Sequence, residues 1–256
     1  IVTLAGMLLF RGLTLLILDN ISLSPFGQPY TTIAAGFQNG LLGGPGYDVF
    51  TLVVFGVAVA AYAFSQWRAR RGRVAYQQTV EAFPLFVLKI VIVGAVVMWF
   101  AYQLASSRGL PNVLILLAFL IVTYSLVTSR TVFGRHVYAI GGNLSAAQLS
   151  GVKVKWVNFF IFVNIGFLAS VAGVVFSSRS NAAQPAAGNM FELDAIAACF
   201  IGGAAVTGGV GKVTGAMVGG LIMAVMSNGM QLMGVDQSVQ QVVKGLVLLL
   251  AVAFDV

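Results

Sequence analysis

The sequence predicts an all-α fold, a polytopic transmembrane helical bundle, and three observations carry that prediction. Of 256 residues, 59% are hydrophobic and only 8% are charged, whereas soluble domains carry about 25% charged residues. The mean hydropathy is +0.96. The apolar residues are gathered into blocks, many of the length of about 18 or more that crosses a bilayer. This balance argues against a water-soluble enzyme or a nucleic-acid binder, and the net charge of +7 needs no nucleic acid to explain it.

In chain order, five apolar segments are clear, at residues 1–18, 49–66, 84–105, 110–128 and 156–177. Three shorter ones follow at about 194–207, 213–232 and 239–254, which makes eight membrane segments. At about 1.5 Å rise per residue, the segment at 194–207 is too short to span comfortably. It reads as a broken or re-entrant helix, which is tolerated where protein buries it. The 19–48 loop is rich in Gly, Pro, Asn and Thr and contains an apolar patch, Tyr30 to Phe37, suited to a short helix on the outer surface. The chain opens on Ile1 inside an apolar stretch, with no Met and no basic lead, so a signal peptide is not expected and further chain upstream is.

The basic residues orient these segments. The 67–83 loop carries Arg68, Arg70, Arg71 and Arg73, and the 129–155 loop carries Arg130, Arg135, Lys153 and Lys155. Two segments separate the loops, so both lie on one side, which the positive-inside rule makes cytoplasmic. With Lys212 the tally is nine basic residues inside, two outside (Arg108 and Arg179) and three within segments. The Arg68 to Arg73 run reads as a topology anchor, with an anionic-lipid patch as the alternative.

Charges inside membrane segments are functional candidates because they are costly there. Lys89 and Lys244 lie near segment ends and can snorkel to water. Arg11 sits deeper. It reads as a buried charge facing the bundle interior, satisfied by backbone carbonyls or a buried acid. Glu81, Glu192, Asp194, Asp236 and Asp255 all fall at segment ends. A proton-coupled carrier keeps an ionisable group near the midplane, so this placement counts against one. Cys199 cannot form an internal disulfide, nor can it build a metal site with the single His136. It reads as a small buried side chain.

Gly211, Gly215 and Gly219 form overlapping small-xxx-small repeats, the mark of a helix face that lets another backbone approach, within the chain or across a dimer. Gly208-Gly209-Val210-Gly211-Lys212 superficially resembles a phosphate loop. That motif needs a Gly five residues before the Gly-Lys pair and a Ser or Thr after it. Val206 and Val213 stand there instead, so no nucleotide site is expected in this chain.

The 129–155 loop carries more order than a connector. Asn143 can cap a short helix, Leu144 to Ser150, and Gly151 suits its stop. Gly141 and Gly142 provide a sharp lead-in, and Ala146, Ala147 and Ser150 offer a small-residue surface. Such a knob could dock a cytoplasmic partner, or be a well-capped loop helix and nothing more.

The stretch Gly134-Arg135-His136-Val137-Tyr138-Ala139-Ile140-Gly141-Gly142-Asn143, continuing to Ala146-Ala147 and Ser150-Gly151-Val152, resembles the coupling-loop signature of bacterial sugar ABC importer permeases of the ribose, xylose and multiple-sugar branch. The resemblance continues through Ser180 to Pro185, Glu192 to Ala198, Ile201-Gly202-Gly203, Asn228-Gly229-Met230 and Val243-Lys244-Gly245. It is strong over about 130–256 and weaker over Ile1 to Gly12. Ala204-Ala205 departs from the Ser or Thr that many relatives carry after the Gly pair. The extra pair of segments at 49–105 is most like the xylose and multiple-sugar permeases.

The resemblance implies a fold like that of the vitamin B12 importer permease, in one transmembrane permease domain incomplete at its N-terminus. It implies two permease copies around a pore in the bacterial inner membrane. Cytoplasmic ATPase subunits, which hold the ATP and Mg, would grip the 144–150 helix, and a periplasmic sugar-binding protein would dock outside. This chain would hold no cofactor and no catalytic residue. Asn181, Gln184, Glu192 and Asp194 then become docking or pathway candidates, with helix capping the alternative for the two acids. A sugar pathway calls for amides and hydroxyls, and Asn164, Asn228 and Gln231 complete the amides, each also suited to helix–helix hydrogen bonding. The rivals are a permease for another cargo (branched-chain amino acids or purine nucleosides), a secondary transporter, and a non-transport scaffold.

Overall fold

The computed structural model describes residues 2–39, 47–78 and 82–253. Glu81, Asp255 and the two ends of the chain, all placed by the sequence reading, lie outside the described residues. The fold is all-α. Eleven helices are described: α1 (Val2–Leu18), α2 (Gln28–Ala35), α3 (Val49–Ala75), α4 (Phe83–Ala105), α5 (Asn112–Arg130), α6 (Val132–Gly142), α7 (Leu144–Leu149), α8 (Val154–Ser180), α9 (Phe191–Ile201), α10 (Val213–Leu232) and α11 (Gln237–Ala253). Five of them, α3, α4, α5, α8 and α10, are long and apolar enough to cross a membrane, and α1 and α11 are shorter apolar helices of 17 residues. Their large apolar side chains are mostly exposed, Leu16, Phe119 and Val225 among them, as a surface facing lipid requires.

The contacts divide the chain into two compact units, Ile1–Phe26 with Leu116–Val256, and Gly27–Ile115. In the second unit, α3 and α4 form an antiparallel pair. The Asp48 N–H donates to the Ala105 carbonyl at 3.0 Å, joining the start of α3 to the end of α4. Asp48 also caps α3: its buried carboxylate accepts from the Thr51 N–H at 3.0 Å and from the Thr51 hydroxyl. A two-residue antiparallel ribbon pairs β1 (Phe37–Gln38) with β2 (Leu110–Pro111). Asn112 reinforces it, accepting from Gln38 Nε2 at 2.9 Å and donating to the Thr32 carbonyl at 2.7 Å. The outer loop, which the sequence shows as a Gly- and Pro-rich stretch with one apolar patch, is thereby tied down at α2.

The first unit is organised around α9. Ala197, Ala198 and Met223 form its buried cluster, with Ile201, Met226, Val247 and Leu248 packed against it. Gly219 and Gly215 of α10 bring the two backbones together. A Cβ on Gly219 would stand 1.9 Å from the Ala198 carbonyl oxygen, and one on Gly215 would stand 2.2 Å from that of Gly202. Gly211 is not on that face. It precedes the first residue of α10, so the expected three-glycine stripe is a two-glycine contact, turned toward α9 of the same chain. Cys199 is exposed and not buried, because the small side chains turned inward at this level are Ala197 and Ala198.

The segment expected at 194–207 is α9, 11 residues long, or about 16 Å at 1.5 Å per residue. It begins earlier than expected and ends at Ile201, after which residues 202–212 turn without helix. This is a half-length membrane helix.

Candidate functional site: a capped helix pair joined to a short helix

Helix α6 was absent from the sequence reading. Its glycines at 134, 141 and 142 look like helix breakers, yet α6 runs from Val132 to Gly142. Thr131 turns the chain out of α5. Its hydroxyl donates to the Val127 carbonyl at 2.6 Å and accepts from the Gly134 N–H at 3.1 Å. Gly134 lies so close to this turn that a Cβ would stand 2.2 Å from the Thr128 carbonyl oxygen. Gly141 and Gly142 therefore end a helix and do not form a bend leading into the next.

Asn143 both terminates α6 and caps α7, with its amide oxygen accepting from the Ala146 N–H at 2.9 Å. Gly151, at φ +82°, closes α7 by donating its N–H to the Gln148 carbonyl at 3.0 Å. The Ser150 hydroxyl donates to the Ala146 carbonyl at 2.9 Å. The surface that α7 presents differs from the expected one. Ala147 is buried, whereas Leu149 is 90% exposed and Leu144 is also exposed. A six-residue helix places Ala147 on the face opposite Leu149, and an exposed leucine here is a ready anchor for a partner.

The helix pair is joined by backbone contact to the 202–212 turn. A Cβ on Gly141 would stand 2.4 Å from the Gly209 amide nitrogen, and one on Gly209 would stand 2.7 Å from the Gly142 Cα. Gly209, at φ +74°, also has a backbone conformation that side-chain-bearing residues rarely adopt. Beside this joint the Tyr138 hydroxyl donates to the Gly211 carbonyl at 2.8 Å. The turn is closed internally by the Ala205 N–H donating to the Val210 carbonyl at 3.1 Å, and it leads back into α9.

At the opposite end of α9 two carboxylates meet two cations. Lys244 Nζ lies 2.8 Å from Asp194 Oδ2, and Arg11 Nη2 lies 3.9 Å from Glu192 Oε1. Both acids belong to the first turn of α9. Lys244 is the eighth of 17 residues in α11, and Arg11 the tenth of 17 in α1. Two expectations change here. Lys244 does not snorkel; its ammonium is held by a carboxylate halfway along its own helix. Arg11 is not buried, since its side chain is 39% exposed. Glu192 and Asp194 stand in the first turn of α9, where acids favour a helix N-terminus, and each meets a cation from another helix.

The other candidates occupy the approach to α9. Asn181, at φ 51°, ends α8, and its amide oxygen accepts from the Phe26 N–H at 2.9 Å. Leu23 and Ala183 exchange backbone hydrogen bonds at 3.0 and 2.9 Å. Gln184 follows in the same turn, its carbonyl accepting from the Ala187 N–H at 3.0 Å. Asn164 is committed between helices, accepting from the Tyr124 hydroxyl at 2.5 Å.

The family described as the permease component of the branched-chain amino acid transport system matches residues 1–252. The chain belongs to this family. As one of these permeases it is a multi-pass inner-membrane protein. It is 40% identical over its whole length to the xylose transport system permease protein of Escherichia coli K12, of which it covers 63%, and 40% identical to that of Haemophilus influenzae, of which it covers 66%. A ribose import permease protein of Bacillus subtilis is 46% identical over 145 residues, 57% of this chain and 44% of that protein. The permease chain thus spans about two thirds of the length of the xylose relatives. No solved structure matches it.

Proposed function

We propose that this chain is the membrane-spanning permease subunit of an ATP-driven importer for xylose or a similar monosaccharide. It works as one of a pair, with cytoplasmic ATPase subunits that carry the ATP and Mg and a periplasmic sugar-binding protein that delivers the cargo. The likeness to xylose and ribose permeases supports the sugar. One structural observation carries the coupling. The capped helix α7, with Leu149 exposed, continues through α6 into a glycine-on-glycine joint with the turn that leads to α9. A push on α7 would thereby be delivered to α9, whose far end is tied to α1 and α11 by ion pairs.

The ion pairs favour a neutral cargo. Each of the two acids on α9 is matched by a cation from another helix, which leaves amides and hydroxyls as the polar groups available to a sugar. No step of bond making is assigned to this chain; ATP hydrolysis belongs to the partner subunits.

The test is uptake of radiolabelled xylose into liposomes holding the full natural-length protein, its ATPase subunits and a loaded binding protein. Uptake is expected to require ATP and to vanish when residues 144–150 are replaced by a flexible linker. Uptake indifferent to both would reinstate a secondary carrier. ATP-dependent uptake of an amino acid or nucleoside in place of xylose would keep the coupling and change the cargo.

A further inference from the structure

We infer that the groove between the cytoplasmic ends of α3 and α4 binds the phosphate of an anionic phospholipid headgroup. The groove is a cavity of about 250 Å³ whose lining includes Tyr62, Gln66, Arg70 and Arg73 of α3 and Phe86 and Lys89 of α4. The four α3 residues follow one another at helical spacing, so they share one face of that helix. Arg70 and Arg73 bring two guanidinium groups to this cavity.

Depth decides which anion this suits. Helix α3 has 27 residues, about 40 Å at 1.5 Å per residue, which exceeds a hydrocarbon core of about 30 Å. Its apolar stretch runs from Val49 to about Gln66, so Arg70 and Arg73 emerge at headgroup level on the side that the Arg68 to Arg73 cluster marks as cytoplasmic. Arg70 is held at the groove wall, its guanidinium 4.8 Å from the ring centre of Phe86 and 5.5 Å from that of Phe83. A guanidinium matches phosphate oxygens with paired donors, and Gln66 and Tyr62 add an amide and a hydroxyl one and two turns deeper. Deeper on the groove side of α4, Ile90 lines the cavity and Val93, three residues on, is exposed, an apolar strip along which an acyl chain can lie. A soluble phosphate would use the cations and leave that apolar flank unused. Basic pockets between membrane helices on the cytoplasmic side are suited to anionic headgroups.

The protein, in its full natural length, is purified in a neutral detergent and its thermal unfolding followed against added phosphatidylglycerol, phosphatidylcholine or inorganic phosphate. Phosphatidylglycerol is expected to raise Tm saturably, and phosphatidylcholine to leave it nearly unchanged. Arg70→Gln with Arg73→Gln should weaken the half-saturating concentration at least about fivefold per cation removed. Arg68→Gln with Arg71→Gln removes equal charge at the same level outside the cavity lining and should retain the response. Should the first pair not fold, Arg73→Glu alone, on an exposed side chain, replaces it. An equal response to inorganic phosphate would overturn the lipid assignment. Equal losses in the two double variants would reduce the effect to general surface charge and overturn the groove as a site.

Discussion

Lys244 and Asp194 stand 2.8 Å apart, the lysine halfway along α11 and the aspartate in the first turn of α9. Neither is fully buried, with side-chain exposures of 25% and 32%, but both belong to the membrane-embedded unit around α9. A partner pair in such a place is disrupted most by removing one member, because the other is left charged in a poorly solvated site. Lys244→Leu is therefore expected to lower Tm more than the double change Lys244→Leu with Asp194→Leu. Asp194→Leu completes the cycle, and a double loss equal to the sum of the two single losses, measured by thermal unfolding of the purified protein, would show that the pair does not couple. The longer Arg11–Glu192 contact, at 3.9 Å, should give a smaller coupling in the same cycle.

The joint between the α6–α7 pair and the 202–212 turn makes neighbouring glycines unequal. A Cβ on Gly141 would meet the Gly209 backbone at 2.4 Å, whereas one on Gly142 meets nothing within 4 Å. Gly141→Ala must push the joint apart; Gly142→Ala need not. The first is expected to keep ATPase activity in the assembled complex while xylose uptake falls at least about tenfold, and the second to transport normally. Parallel loss of uptake in both would remove the joint from the coupling route.

On α10 the same logic applies at its contact with α9. Gly219→Ala forces a methyl to within 1.9 Å of the Ala198 carbonyl, while the nearest atom to a Cβ on Gly220 is 4.0 Å away. Overpacking of this kind costs about 1–3 kcal/mol. Gly219→Ala should lower Tm by several degrees. Gly220→Ala should leave Tm unchanged or raise it slightly, since alanine is the better helix former.

Leu149 is an exposed apolar side chain on a short capped helix, and Asn143 is the cap. Leu149→Ser is expected to leave stability within about 0.5 kcal/mol of the parent and to reduce co-purification of the ATPase subunits. Asn143→Ala removes a cap worth about 1 kcal/mol. It should weaken the same association by fraying the helix. If Leu149→Ser left the association intact, α7 would not be the grip.

Asp236 offers a pH test outside the spanning helices. The Ser238 hydroxyl donates to its carboxylate and holds the Asp236 carboxyl below its ordinary value of 3.8, with the Ser238 backbone N–H adding to the effect. A lowered folded-state value means stability that is present above pH 3.8 and lost as the pH falls through the lower, folded value. Asp236→Asn should leave Tm insensitive to pH at this position between about 4.5 and 2.5, where the parent declines. An identical acid decline in both proteins would assign it to other carboxylates.

Composition and the spacing of apolar blocks determined, without help from the tertiary structure, that the chain is an all-α membrane protein. They also placed α1, α3, α4, α5, α8, α10 and α11 within a few residues of where they lie, apart from longer ends such as that of α3. Blocks this long leave the backbone no alternative to helix in lipid, where every N–H and C=O must be satisfied within the segment. Asn143 and Gly151 were legible for a similar reason, since capping is read from one or two residues. Asp48 was not, because its place at the start of α3 and against Ala105 depends on α4 folding back. Helix α6 was hidden by its glycines, whose close approach to the Val127–Thr128 carbonyls and to Gly209 exists only once the chain has turned. The meeting of Lys244 with Asp194 and of Arg11 with Glu192 was likewise decided by the tertiary structure alone. Residues 50 and 181 positions apart become neighbours because the start of α9, a helix of 11 residues, meets α1 and α11, of 17 each, partway along their lengths, and no local pattern records where a short helix starts against its neighbours.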